Sequence, residues 1–403
     1  MTARLGAVLV AATILGVALV VATPRSAFAG ELIGDIPADG GLALVTWSGG
    51  TTDDVVQAAA LRGCALNATW SFASGFPVGF IVGAPTFVNR AYLSLHPGGS
   101  VQEGPMLLVC HRNQPIVYRD PTFEVRATED IVYGKALVHP DWGASESTVV
   151  DLTLDLYEPV GQNPGIARPA IVVIHGGGFS FNSSKTAAFV NTARYFASRG
   201  WVAVSINYRL SGEHGTIPEG WNGSNAVYPA ARDAKAAVRW LRDRAETYNV
   251  DTSRITATGG SAGAILALML GTVDESDYRD EISIEDDWTL GTTRLEQSSS
   301  VATVVDHWGS LSAVRSAERY NGGSRIDGND APVVILHGTD DAIVPYSAAL
   351  DVVAAWSDAG IPYELHPIEG APHSPWGSTV NGRDQLDIVF DFVTADQGLR
   401  VIE

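Results

Sequence analysis

From residue 169 onward the hydrophobic positions gather into short continuous runs, each stopped by glycine or by charge. Pro169-Ala170-Ile171-Val172-Val173-Ile174 is the clearest, and a run of that length without polar alternation is what a central parallel strand buried on both faces requires. Trp201–Leu210, with its Tyr208-Arg209-Leu210 end, Val301–Gly309, Ala331–Leu336 and the shorter Tyr363–Ile368 are predicted as further strand segments, and Arg254-Ile255-Thr256-Ala257-Thr258 has β-branched strand character. Between them, Ala230–Leu241 carries apolar residues at helical spacing, and Ala264–Leu270 is apolar on every side, as a buried helix is. Residues 36–112 have a different texture. Leu42–Trp47, Ala68–Phe72, Val78–Val82 and Met106–Cys110 are short β-type runs separated by glycine-rich turns, with one short helix predicted over Asp54–Leu61. They predict a small β-rich module whose Trp47, Trp70, Phe80 and Phe87 serve chiefly as core aromatics, with a polymer-binding face as the other reading.

The candidate chemistry sits where the runs end. Gly259-Gly260-Ser261-Ala262-Gly263 joins the 254–258 strand to the apolar helix and reads as a nucleophile elbow. A turn that tight forces the serine into unfavourable backbone geometry, and glycines on either side keep the adjoining elements from clashing. The 169–174 run ends in His175-Gly176-Gly177-Gly178-Phe179, where three glycines leave N–H groups bare. A hydroxyl nucleophile needs a base, and the base an orienting carboxylate. The 331–336 run is followed by His337-Gly338-Thr339-Asp340-Asp341, and the 363–368 strand by the loop Glu369-Gly370-Ala371-Pro372-His373. His373 is the expected base and His366, inside the strand pattern, a structural histidine.

These segments resemble the esterases and lipases of the α/β-hydrolase superfamily over residues 130–395, especially the HGGG-bearing carboxylesterase, hormone-sensitive-lipase-like and feruloyl or acetyl esterase-like groups. The resemblance implies an α/β-hydrolase fold, a mostly parallel central sheet flanked by helices, in residues 116–403, with residues 30–115 as the β-rich accessory module. It makes Ser261, Asp341 and His373 the triad, with Asp340 the nearest rival to Asp341 and Asp306 a weaker one. It also implies an oxyanion hole from the N–H groups of Gly177, Gly178 and Ala262. His175 is expected to be structural, and Asp233 to buttress an arginine. Phe179, Trp308, Tyr346 and Trp376 are the expected pocket walls, with His307 beside them.

Composition narrows the surroundings of this chemistry. The chain has 403 residues, 46% hydrophobic and 18% charged, enough for one large domain and a small second one. Its formal charge of −19 disfavours nucleic acid or another polyanion as partner. The acidic stretches Asp274–Glu281 and Glu285–Asp287 read as a solvated insertion, with a lid or a Ca²⁺ site as weaker readings because the D-x-D-x-D-G spacing is absent. Residues 211–227 are a second insertion that can shape the pocket mouth. No metal or cofactor is expected. Arg4, the apolar stretch Leu5–Val21 and Ala27-Phe28-Ala29 read as an export signal cleaved after Ala29, giving a secreted chain with no stable membrane insertion. An oxidising compartment favours a disulfide between Cys64 and Cys110. A monomer is the default expectation.

The leading reading is a secreted serine carboxylic ester hydrolase, lipase-like or esterase-like, acting on a small-molecule or polymer ester. A prolyl-oligopeptidase-like peptidase with the same triad, and a non-catalytic polymer- or surface-binding protein on a hydrolase fold, stay open beside it.

Overall fold

The computed structural model describes residues 115–161 and 167–403 in full and, before them, the backbone of the strands Glu31–Ile33, Gly41–Ser48, Cys64–Thr69, Ser71–Ala73, Phe76–Val78 and Gly104–Cys110. The chain divides into two compact units, the second made of Val117–Gly161 and Ala167–Glu403. In the first, four of these strands form one antiparallel sheet, in the order 31–33, 41–48, 104–110, 64–69. Its register sets Cys64 opposite Cys110. The export signal, the helix over 54–61, and Trp70, Phe80 and Phe87 lie outside the described residues, as do the side chains of Trp47 and both cysteines.

The second unit is built on an eight-stranded sheet: β1 (Glu124–Val138), β2 (Thr148–Val160), β3 (Arg168–Ile174), β4 (Val202–Ile206), β5 (Val250–Gly260), β6 (Thr303–His307), β7 (Val333–Gly338) and β8 (Tyr363–Ile368). The strand order is β1-β2-β4-β3-β5-β6-β7-β8. Strands β3 to β8 run parallel, while β2 is antiparallel to both β1 and β4. Every residue of β3, β4, β6 and β7 is buried, which is why β3 and β7 read as nearly continuous apolar runs rather than alternating ones.

Successive side chains of a strand point to opposite faces, and the sheet has a separate core on each. Ala170, Val172 and Ile174 join the cluster under α2 (Val227–Asp243), α3 (Ala262–Leu270), α4 (Ser312–Asn321) and α5 (Ser347–Ala359). Ile171 and Val173 point the other way, into the cluster beneath α1 (Ala187–Ala197) and α6 (Gln385–Asp396). The sandwich of helices, sheet and helices is the α/β-hydrolase architecture, and the order reversal beside β3 leaves the carboxyl ends of β3, β5, β6 and β7 at one crevice.

The acidic insertion is solvated along most of its length, with Asp274, Asp280, Glu285 and Asp286 exposed, but Asp277, Tyr278, Ile282 and Asp287 anchor it in the fold. Its first turn is held by Lys235 on α2, whose ammonium, itself buried, donates to the carbonyls of Asp274, Glu275 and Asp277 at 2.9, 3.1 and 2.6 Å. Glu275 accepts from the main chain and hydroxyl of Ser299, and Asp277 pairs with Arg325 at 2.6 Å. The carbonyls a cation would use are thus taken by Lys235, and among the described residues no cluster of His, Cys, Asp and Glu is arranged to hold a metal. No helix among the described residues is long and apolar enough to cross a membrane.

Candidate active site

At the end of β5 the chain turns within one residue into α3, and Ser261 takes that turn at φ 55°, ψ −118°. Such geometry costs a non-glycine residue on the order of 1–3 kcal/mol and persists only where the surroundings fix it. Here the Ser261 N–H donates to the carbonyl of His307 on β6 at 2.9 Å, and the Ser261 carbonyl accepts from Ile265 N–H at 3.0 Å. The flanking glycines are required by contact. A Cβ on Gly259 would lie 2.4 Å from the Gly263 carbonyl carbon, and one on Gly263 would lie 2.0 Å from the Ile174 carbonyl oxygen. Helix α3 therefore starts hard against the end of β3.

The other two groups arrive on neighbouring strand ends. His373 follows β8, and its Nε2 lies 2.9 Å from Ser261 Oγ. Its Nδ1 lies 2.6 Å from Asp341 Oδ2, in the loop after β7. Because a carboxylate only accepts, the proton of the neutral imidazole sits on Nδ1 and the Nε2 lone pair faces the serine hydroxyl. The other oxygen of Asp341 accepts from the N–H groups of Ile343 and Val344 at 2.8 and 2.9 Å, so the carboxylate is held at both ends. Asp341 is buried, whereas its rival Asp340 is exposed and uses its N–H on Ala371. Gly338 lets these two loops approach, since a Cβ there would meet the Ala371 oxygen at 2.3 Å.

The glycine loop crosses directly over the elbow. A Cβ on Gly176 would lie 2.5 Å from the Gly260 oxygen and 3.3 Å from Ser261 Cβ, and Gly177 and Gly178 have φ of 109° and 59°. Among the described residues neither Gly177 nor Gly178 donates its N–H to another main-chain oxygen. Ala262 opens α3, so its N–H has no carbonyl one turn below it within the helix. His175 is structural: it is buried, its ring stacks on Tyr208 at 4.2 Å, and burial pushes it down to about 4, keeping it neutral.

Other expected residues separate into near and far. Trp376 packs edge-on to Trp308 at 4.7 Å and to Phe189 at 5.6 Å, close over Gly260. Trp308, expected on a pocket wall, has no exposed surface, because it fills the space behind the elbow. His307 is buried there too, with no partner for either ring nitrogen, and burial pushes it down to about 3. Phe179 is nearly buried at φ 59°, against Tyr208, and half-buried Tyr346 stands 5.9 Å from His337. Asp306 is no rival to Asp341: one oxygen accepts from Gly309 N–H at 2.7 Å, the other has no partner, and burial raises it to about 7. His366 pairs with Glu364, and Asp233 buttresses Arg209 through Nε at 2.9 Å and Nη2 at 2.8 Å.

One neighbour of the site was not singled out from sequence. His337, fully buried, has its Nε2 2.8 Å from the Val344 carbonyl and 3.4 Å from Asp341 Oδ2, the oxygen that also meets His373. Its spacing of four residues from Asp341 was the available signal.

The family model described as BD-FAE matches residues 154–325. Esterase LipQ of Mycobacterium tuberculosis is 27% identical over 295 residues, covering 68% of this chain and 63% of LipQ, so the chain spans a little under two thirds of that relative. Esterase LipI of the same organism is 28% identical over 251 residues, covering 58% of this chain and 72% of LipI. Among solved structures, a thermophilic esterase of Thermogutta terrifontis with propionate bound is 27% identical, covers 70% of this chain and 97% of its own, and superposes with a TM-score of 0.49.

Proposed function

The chain belongs to the α/β-hydrolase superfamily of esterases and lipases, and from that premise we propose that it is a carboxylic ester hydrolase working through an acyl-enzyme on Ser261. The observation that carries this reading is the unbroken relay from Ser261 Oγ through His373 to Asp341, at 2.9 and 2.6 Å. His373 Nε2 takes the hydroxyl proton as Oγ attacks the ester carbonyl, while Asp341 holds the ring in the needed tautomer and stabilises the imidazolium. Negative charge gathers on the carbonyl oxygen, where the N–H groups of Gly177, Gly178 and Ala262 receive it at the positive end of α3. His373 returns the proton to the leaving alcohol. Water then attacks the acyl carbonyl, giving a proton to His373, and His373 passes that proton to the departing Ser261 oxygen as the acid is released.

Phe181, in the glycine loop, and Ile343, in the acid loop, both expose most of their apolar surface, which supports an ester with an apolar portion. The test is turnover of p-nitrophenyl acetate, butyrate, octanoate and palmitate against aminoacyl-proline amides. Ester turnover supports the proposal and its chain-length profile places the enzyme between esterase and lipase. Amide turnover alone returns the peptidase reading, and no turnover by folded protein returns the binding one.

Export and a Cys64–Cys110 disulfide belong to the same proposal. The apolar stretch 5–21 with Ala27-Phe28-Ala29 supports export, and the cross-strand register supports the disulfide, because directly opposed residues in antiparallel strands have Cα atoms about 4.5–5.5 Å apart, within the disulfide range. The N-terminal sequence of secreted protein and its mass after alkylation without reductant check both.

A further inference from the structure

Beside the acid of the triad stands a histidine that packing alone does not account for. His337 is the next-to-last residue of β7, and its side chain has no exposed surface. Its Nε2 lies 2.8 Å from the Val344 carbonyl oxygen, which only accepts, so the ring proton sits on Nε2. Nδ1 is then a bare acceptor, buried and without a partner among the described residues. Burial pushes the ring down and keeps it neutral, against the pull of the Val344 carbonyl and of Asp341 towards the charged form. A buried nitrogen without a partner costs stability that an apolar side chain of the same size would not. What an imidazole contributes at this position is therefore its Nε2–H.

That N–H reaches the triad by two routes. Val344, whose carbonyl takes it, gives its own N–H to Asp341 Oδ1 at 2.9 Å, beside the N–H of Ile343 at 2.8 Å. The loop after β7 is thereby closed back onto the strand it leaves. The second route is through space: His337 Nε2 lies 3.4 Å from Asp341 Oδ2, the oxygen that meets His373 Nδ1 at 2.6 Å. The N–H itself is spent on Val344, and what Oδ2 meets is the positive end of its dipole. Around the ring the titratable groups are Asp341, His373 and Tyr346, whose ring stands edge-on at 5.9 Å; Asp340, the other carboxylate of the loop, is exposed.

We infer that His337 is a positioning residue for the acid of the triad: through Val344 it sets the loop that orients Asp341, and through the N–H dipole at Oδ2 it limits the negative charge presented to His373. It acts only through Asp341, and the inference rests on the acyl-enzyme reading of Ser261, His373 and Asp341. Without the Nε2–H the carboxylate faces His373 with more of its charge, the imidazolium is favoured, and the acid limb of kcat/KM moves up in pH. A full opposite charge near a carboxyl moves its titration by roughly 1–3 units, and a neutral dipole by a fraction of that, here about half a pH unit.

The test compares the full chain with His337→Leu and His337→Gln in p-nitrophenyl acetate turnover across the pH range in which a histidine base titrates. Leucine is close to the imidazole in volume but has no N–H, whereas the glutamine amide places an N–H near the position of Nε2. The expected result is that His337→Leu lowers kcat roughly 10-fold, within the 10²-fold that a misplacement of about 1 Å costs, with KM nearly unchanged and the acid limb moved up, and that His337→Gln recovers most of both. The unaltered protein labelled with ¹⁵N-histidine gives a measurement that needs no variant: the His337 ring, identified by its contacts with Tyr346, is expected as the neutral Nε2–H tautomer throughout. Equal losses in the two variants, an acid limb that stays in place in His337→Leu, or a proton on His337 Nδ1 would overturn the assignment and leave the ester hydrolase reading standing. No turnover by the folded, unaltered chain would remove that reading, and this inference with it.

Discussion

Replacing Gly263 by alanine tests the packing that shapes the elbow. The new Cβ would sit 2.0 Å from the Ile174 carbonyl oxygen and 2.7 Å from that of His175, whereas real Cβ contacts essentially never fall below 3.0 Å. Both obstacles are main chain, and Ile174 lies in a strand bonded on both sides, so α3 and β3 must part by about 1 Å. Overpacking of this kind costs roughly 1–3 kcal/mol, more where backbone must move, and each kcal/mol lowers the midpoint of a domain this size by about 2–4 °C. A nucleophile displaced by about 1 Å loses roughly 10²-fold in rate. Gly291→Ala is the control: its Cβ meets nothing within 4 Å, and its φ lies outside the region that L side chains avoid. Thermal unfolding and p-nitrophenyl acetate kcat/KM on both variants give the comparison. If Gly263→Ala matches Gly291→Ala in midpoint and in rate, the close approach of helix and strand described above is wrong.

Three other outcomes are expected. Asp341→Asn lowers kcat on p-nitrophenyl acetate by about 10⁴-fold, because the amide no longer fixes the imidazole tautomer, while Asp340→Asn leaves it nearly unchanged; equal losses would reverse the assignment of the acid. His307 is held neutral in the fold with its value pushed down to about 3, so the unfolded chain takes up its proton first as pH falls below about 6.5. Its contribution is complete above that value and is lost towards pH 3, at about 1.4 kcal/mol per pH unit for one proton. His307→Phe therefore flattens the decline of urea stability between pH 6.5 and 4, and an unchanged slope would contradict the assignment. Asp233→Asn strips the buried Arg209 of its counter-charge and costs about 3–5 kcal/mol by urea unfolding, whereas Arg209→Met with Asp233→Leu recovers most of it; a cost below about 1 kcal/mol for the single change would show the pair to be dispensable.

What was legible from sequence is what local pattern controls. Strands buried on both faces announce themselves as unbroken runs, so β3 and β7 were placed to within a few residues. The elbow, the glycine loop and the acid loop each lie within a few residues of a strand end, where spacing carries the geometry. What stayed hidden depends on contacts between distant segments. Nothing near Asp274 or Glu275 signals that Lys235, some forty residues earlier, binds their carbonyls, or that Asp277 and Asp287 are buried within an otherwise exposed acidic stretch. Trp308 follows a strand end, as a pocket residue does, but its burial is set by Trp376 from another loop. The place of His337 beside Asp341 exists only once strand and loop are packed.

The most direct test of the central claim is covalent labelling with diethyl p-nitrophenyl phosphate, a triester that a serine nucleophile attacks but whose adduct water releases slowly, followed by peptide mass mapping and a parallel assay of Ser261→Ala. The account predicts one diethylphosphoryl group, on the peptide containing Ser261, with ester turnover falling in step with labelling and the alanine variant neither labelled nor active. Labelling at another residue, or ester turnover that survives in folded Ser261→Ala, would contradict it.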